Sequence, residues 1–304
     1  MHDFDLLRVL DLAEVSRADG GAEGDGDSGA YASAAGGDTF RGPAMNTEVF
    51  VRTFGGHLAA QALCAATRTV GEDKLVHSLH SYFLSGGDAE AATEYTVRRL
   101  RDGRSFSTRS VEAHQNGKLL YTMTASFHHQ QDLGPEHSEP MPAVPAPERV
   151  AVQEKIPSGV PGAEKDFREW DIREVPAALE SRETSTVSGR TLWFRYRESL
   201  PGDDALHATA LTYMSDMTLL FSALEAHPGY AAQLASLDHA IWFFRPVRVD
   251  EWLLYRQASP SAGSGRALAQ GRIFNADGEL VALVAQEGLA RELRVGATQV
   301  PMRE

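Results

Sequence analysis

His80–Leu84 reads HSYFL, and His239–Phe244, far downstream, reads HAIWFF. At nearly the same distance beyond each anchor stands a turn pair followed by an apolar run: Asn116–Phe127, NGKLLYTMTASF, and Asp277–Gly288, DGELVALVAQEG. Two diverged copies of one structural unit explain this match. Working outward from each anchor, the elements come in the same order. Phe54–Val70, FGGHLAAQALCAATRTV, opens on Gly55 and Gly56 and continues in good helix formers, so it predicts a buried helix. β-rich runs follow, with Asp102-Gly103 and Asn116-Gly117 between them as hairpin turns. In the second half Arg190–Glu198, RTLWFRYRE, predicts a strand, Leu211–Leu224 a helix, and a second meander follows.

Each unit has one long helix and several antiparallel strands, and such a sheet must cover an apolar face. The expected class is α+β, with two tandem antiparallel sheets each wrapped around a central helix. Joining the sheets edge to edge would remove a pair of exposed edges. From His129 to about Val187 the chain is polar, and PEHSEPMPAVPAPE is too dense in proline for regular structure. The expected organisation is an N-terminal unit over 1–130, a proline-rich linker over 131–187 and a C-terminal unit over 188–304. Within the first unit, about 17–38 reads as a flexible acidic loop. Its Gly24, Gly26 and Gly29 form a literal GxGxxG. No strand precedes it, and Glu23, Asp25 and Asp27 would repel a pyrophosphate, so it predicts no nucleotide site.

The formal net charge of −13 argues against nucleic acid or an anionic membrane as partner, since both carry the same sign. An anionic ligand would need a local basic patch. Arg98, Arg99, Arg101 and Arg104 could supply one, although solvated strand residues are the simpler account. Cys64 is the single cysteine, so no intrachain disulfide forms, and its apolar surroundings read as core. Asp3 and Asp5 stand where a signal peptide would be basic, no apolar run reaches membrane-spanning length, and the end VPMRE carries no targeting tripeptide. The expected compartment is the cytoplasm.

Asp216 lies inside LTYMSDMTLLFSAL, Leu211–Leu224. At helical spacing Tyr213, Met217, Leu220 and Leu224 form one apolar stripe, with Leu211, Met214, Thr218 and Phe221 beside it. A carboxylate there must find partners or carry chemistry. Other chemistries fail on spacing. His77 and His80 would point to opposite faces of a strand, as would His128 and His129, and no HExxH, paired CxxC or GxSxG occurs. Neither metal nor cofactor is expected.

FGGHLAAQAL, LVHSLHSYFLSGGD, RRLRDGRSFSTRSVEAHQNGKLLYTMTASF, YMSDMTLL, LDHAIWFFRPVRVDEWLLY and QEGLAR together resemble the type II, TesB-like acyl-CoA thioesterases. The resemblance covers nearly the whole chain and implies a double hot-dog fold that hydrolyses acyl-CoA thioesters. It also implies the site residues. The family's catalytic Asp, hydroxyl residue and Gln fall on Asp216, Ser236 and Gln286. Ser236 stands where Thr is common, a change that keeps donor and acceptor. His57 stands where GGQ is common.

A thioester is activated enough for direct attack by water, with Asp216 taking the proton and Ser236 and Gln286 orienting it. The N-terminus of a central helix would hold the oxyanion, which makes Gly55, Gly56 and His57 candidate substrate-binding residues. The first helix has no acid between Gly55 and Val70, so one catalytic centre per chain is expected. The expected partner is acyl-CoA, and the expected assembly a homo-oligomer. Two rivals stand beside this reading. One is a non-catalytic acyl-CoA-binding or assembly protein on the same fold. The other is an enoyl hydratase, which would want a His a short way along the Asp helix, where only His227, next to Pro228, is present.

Overall fold

The computed structural model describes residues 6–18, 36–129, 134–152, 162–179, 189–294, 296 and 298–302. Most of the acidic loop, with Gly24, Gly26 and Gly29, lies outside the described residues, as does part of the 131–187 segment. The strands are β1 (Ala13–Ser16), β2 (Asp38–Gly42), β3 (Lys74–Phe83), β4 (Thr93–Asp102), β5 (Phe106–Gln115) and β6 (Lys118–His129) in the first half. The second half has β7 (Trp170–Val175), β8 (Gly189–Tyr196), β9 (Ala232–Ser236), β10 (Asp238–Phe243), β11 (Leu253–Gly263), β12 (Arg266–Phe274) and β13 (Leu280–Glu292). Three α-helices accompany them among the described residues: α1 (Leu6–Val9), α2 (Gly55–Thr67) and α3 (Asp204–Ser215).

The strands form one antiparallel sheet in the order β1-β2-β4-β5-β6-β3-β10-β13-β12-β11-β8-β7, with β9 also paired to β13. The two anchors meet at its centre. β3 pairs with β10 so that His80 lies opposite Ala240 and Ser81 opposite His239, which joins the two halves edge to edge and leaves neither central edge open. Asn116 and Gly117, both with positive φ, close a two-residue hairpin between β5 and β6. The matching turn at Asp277-Gly278 is wider, because Asn275 and Glu279 close a longer loop through Asn275 N–H to Glu279 O, 3.0 Å. In the second half the tight hairpin is instead Ser264-Gly265, between β11 and β12.

α2 is apolar on nearly every side and buried along its length, packing across β3, β4, β5 and β6. Leu58 and Leu63 are at most 2% exposed, and each contributes about 2 kcal/mol by burial. α3 lies against α2 and β3. The helix expected over Leu211–Leu224 ends at Ser215; a turn follows, and then a 3₁₀ helix over Leu220–Leu224 packs on β8, β9, β11, β12 and β13. The cause is competition for the last carbonyls. Tyr255 Oη donates to Ser215 O at 2.9 Å and takes up the last carbonyl of α3. Arg190 donates to Thr218 O, while Gln257 Nε2 holds Thr218 Oγ1 at 2.6 Å. Asp216 is therefore a helix cap rather than a residue in a stripe.

The proline-rich stretch from 134 to 146 has no regular structure, and it lies over the outer face of the second half of the sheet. Trp193 Nε1 donates to Pro145 O there at 2.9 Å. Beyond it the segment contributes β7, which pairs with β8. Asp166 reaches back to the first half, accepting from Thr47 Oγ1, from Glu48 N at 2.9 Å and from Val49 N at 3.2 Å. That places Phe167 against Phe54, with ring centroids 5.2 Å apart.

Candidate active site

Four elements converge at the N-terminus of α2: the end of α3, β9, β13 and the loop before α2. Asp216 caps α3 and is 8% exposed. On β13 the side chain of Gln286 faces inward and is fully buried, and the β9–β13 register sets Ser236 opposite Gly288, two residues away on the same face. Gln286 Nε2 donates to Asp216 Oδ1 at 2.5 Å and to Ser236 Oγ at 2.6 Å. Ser236 Oγ stands 3.4 Å from the same carboxylate oxygen, a weaker contact. The three residues expected from sequence thus meet around one oxygen of Asp216.

The second carboxylate oxygen, Oδ2, faces Gly55. A Cβ at Gly55 would lie 2.6 Å from it and 3.0 Å from the Phe83 ring, so only glycine admits the carboxylate this close to the helix. Phe54, the N-cap of α2, is extended and offers no side-chain cap, so no capping side chain closes the helix start that lies beside Asp216. Gly56 has a different task. A Cβ there would lie 2.3 Å from Tyr213 O, so this glycine lets α2 pack on α3. His57 is not among the residues lining the cavity described below. It is 1% exposed, it donates from Nε2 to Pro43 O at 3.2 Å, and burial pushes its pKa down to about 4.

Asp216, Ser236 and Gly55 open onto a cavity of about 310 Å³. Its walls are mainly apolar, with Phe83, Phe167, Met217, Leu220 and Leu289 among them. Among the described residues its only charged lining groups are Asp216 and Arg52. The arginines of β4 are elsewhere: Arg99 pairs with Asp38 at 2.8 Å, Arg98 lies 3.6 Å from Glu112, and neither lines the cavity. Two contributors escaped sequence reading. Phe167 lies in a stretch read as linker, where the apolar pair Phe167 and Trp170 was the available signal. Arg52 lies three residues before Gly55 in an otherwise unremarked loop.

The histidines need a correction. A bulge between Val76 and Ser78 breaks the alternation of β3, so His77 and His80 do not simply face opposite ways. They still do not meet: His77 bonds Ser126 Oγ at 2.8 Å and packs on Phe106 and His128, while His80 packs on Trp242. Among the described residues no three His, Cys, Asp or Glu side chains gather as a metal would require.

A family model described as acyl-CoA thioesterase matches residues 162–289, and one for the acyl-CoA thioesterase N-terminal domain matches residues 45–128. The crystal structure of an acyl-CoA thioesterase II from Mycobacterium marinum superimposes with a TM-score of 0.79 at 43% identity, covering 95% of this chain and 98% of that one. This chain belongs to the TesB-like acyl-CoA thioesterase family. Other relatives of the thioesterase family agree. Mouse acyl-coenzyme A thioesterase 8 is 37% identical over 271 residues, covering 84% of this chain and 85% of that protein. Acyl-CoA thioesterase 2 of Haemophilus influenzae is 35% identical over 264 residues, covering 83% of this chain and 92% of that protein. A protein with a hot-dog fold from Alicyclobacillus acidocaldarius, at 21% identity and a TM-score of 0.67, shares the fold and covers 88% of this chain. No helix among the described residues is long and apolar enough to cross a membrane.

Proposed function

We propose that this thioesterase hydrolyses acyl-CoA to a free acid and coenzyme A by direct attack of water, assisted by Asp216. The observation that carries the proposal is the divided carboxylate. One oxygen is held by Gln286 and approached by Ser236, and the other faces an uncapped helix N-terminus across a glycine, at the wall of an apolar cavity. The acyl chain occupies that cavity, and Arg52 meets the phosphates of the coenzyme at its mouth.

A thioester carbonyl lying over the start of α2 points its oxygen at open backbone N–H groups, where the helix dipole favours developing negative charge. Water, held between Asp216 and Ser236, adds its oxygen to the carbonyl carbon as Asp216 takes its proton. The carbonyl electron pair moves onto oxygen and is held by the helix N–H groups. When it returns the C–S bond breaks, the proton on Asp216 passes to the departing sulfur, and the products are the acid and the free thiol. No covalent enzyme intermediate is required.

The proposal takes the fold as a double hot-dog, with units 1–130 and 188–304 joined by 131–187. The continuous sheet through β3 and β10, and a helix or helical turn packed on each half of it, support that reading.

Release of free thiol from short, medium and long acyl-CoAs is the direct test, run with wild type and Asp216→Asn. The variant is expected to lose about 1,000-fold in kcat with an unchanged melting temperature. Turnover that persists in the variant overturns the role of Asp216. Saturable binding by wild type without thiol release overturns the hydrolytic reading.

A further inference from the structure

The catalytic proposal leaves one buried titratable group at the site without a task. His239, on β10, is fully buried, and the register of Ala240 opposite Ala285 sets it beside Gln286 on the inner face. Its Nε2 lies 2.8 Å from Ser215 Oγ, one residue before Asp216. Two buried polar atoms on these neighbours, His239 Nδ1 and Gln286 Oε1, have no hydrogen bond of full geometry among the described residues. Burial pushes the His239 pKa down, which keeps the ring neutral, and the Gln286 side chain lies close enough to oppose that shift in part.

Counting hydrogens decides between two arrangements. If Ser215 gives its one hydroxyl hydrogen to Thr212 O, 2.9 Å away, Nε2 must carry the ring hydrogen. Nδ1 is then a bare lone pair, and it would attract the NH₂ end of the Gln286 amide and turn the carbonyl end toward the Asp216 carboxylate. If Ser215 instead donates to Nε2, Nδ1 carries the hydrogen and donates to Gln286 Oε1. Both orphaned atoms are then satisfied, and the NH₂ end of Gln286 can face only Asp216 and Ser236.

We infer that His239 is a positioning residue, a neutral imidazole whose Nδ1–H fixes the amide orientation of Gln286 and, through it, the Asp216 carboxylate. Ser215, His239 and Gln286 form a relay of hydrogen bonds from the end of α3 across β10 to β13. The imidazole transfers no proton in the reaction and touches no substrate. Its effect falls on kcat, because a misoriented amide disturbs the base and not the cavity that holds the acyl chain.

The inference rests on the catalytic reading above, so the test carries Asp216→Asn alongside. In His239→Asn the new amide nitrogen stands near Nδ1 and keeps the donor to Gln286; in His239→Gln it stands near Nε2 and loses that donor. His239→Gln is expected to lower kcat on the order of 30-fold with KM within about 2-fold, and His239→Asn to recover most of the loss at a similar melting temperature. Equal losses in the two variants, or full kcat in His239→Gln while Asp216→Asn is inactive, overturn the inference alone. Retained turnover in Asp216→Asn overturns the reading beneath it. A nitrogen-15 spectrum of wild-type histidines, with His239 assigned through its neighbours, tests the same point without a variant. A hydrogen on Nδ1 is expected, and one on Nε2 overturns the inference.

Discussion

The helices α2 and α3 run antiparallel, so each end of the pair sets the start of one helix beside the finish of the other, and the two ends have been built to opposite effect. At one end Gly56 packs on Tyr213 O, the N-cap Phe54 gives no side-chain cap, and the C-cap is Asp216. At the other, Cys64, Thr67 and Arg68 share a second, more polar cavity with Ala205, Leu206 and Thr209. There the N-cap Asp203 accepts from Ala205 N at 2.9 Å and Leu206 N at 3.3 Å, so the helix start is already occupied by a carboxylate. The C-cap is Arg68, whose guanidinium donates to Leu10 O at 3.1 Å and to Leu12 O, which draws the chain after α1 over that end. A hydrolytic site needs an open helix start for an oxyanion and a free carboxylate for a water. One end offers both, and the other fills the first and reverses the charge of the second.

The comparison breaks most visibly at the open end. Gly55→Ala places a Cβ 2.6 Å from Asp216 Oδ2 and 3.0 Å from Phe83, and is expected to lower kcat by about 100-fold while the fold persists. Gly56→Ala meets the Tyr213 backbone instead, and is expected to cost about 1–3 kcal/mol in denaturant unfolding. Thiol release and urea melts on the pair separate the ligand-facing glycine from the packing glycine. Full activity in Gly55→Ala means that the carbonyl does not sit at the start of α2.

Each helix start also buries a neutral histidine, and both contribute to the response to acid. His57 donates to Pro43 O, while His207 Nδ1 accepts from Val249 N at 3.2 Å; burial lowers both pKa values. For His57 the folded value is about 4 against 6.5 for the free side chain. Between those limits the unfolded chain binds a proton that the folded chain refuses, so stability is full above pH 6.5 and falls as pH drops toward 4. The loss approaches about 3 kcal/mol. His57→Gln can still donate to Pro43 O and does not titrate, so the gap in unfolding free energy between pH 7 and pH 4.5 is expected to shrink in that variant. An unchanged gap would assign the acid sensitivity to other groups.

Much of this arrangement was legible in the sequence because it is local or periodic. The repeat around His80 and His239, the Asn116-Gly117 turn and the alanine-rich α2 are written in spacing and turn chemistry, and they predict an antiparallel sheet that joins at its middle. What escaped depends on contacts distant along the chain. The end of α3 at Ser215 is set by Tyr255 and Arg190, which come from β11 and β8. β7 and Phe167 hide in a proline-rich segment that reads as linker, and the bulge in β3 upsets an alternation that looks regular on paper. Asp216 stood out as a carboxylate among apolar residues, whereas Ser236 and Gln286 carried no signal of their own beyond the family resemblance. The side chain of His57 illustrates the converse. It lies in a motif that suggests ligand contact, and it is turned into the protein by packing that only three dimensions reveal.

The smallest expected effect is the one that tests whether the occupied end is occupied for structure alone. Asp203→Ala removes the acceptor for Ala205 N and Leu206 N and uncovers the start of α3, while Arg68 and the chain after α1 remain in place. Loss of an N-cap of this kind costs about 1 kcal/mol, read as a lower midpoint in urea unfolding with the same slope. Thiol release should stay at the wild-type level, since Asp203 lies at the far end of α3 from Asp216. A fall in kcat without loss of stability would mean that the two ends are coupled along the helix pair. A rise in activity would mean more: that an open helix start suffices to recruit substrate even beside an arginine, and that Asp203 closes what would otherwise be a second, misdirected site.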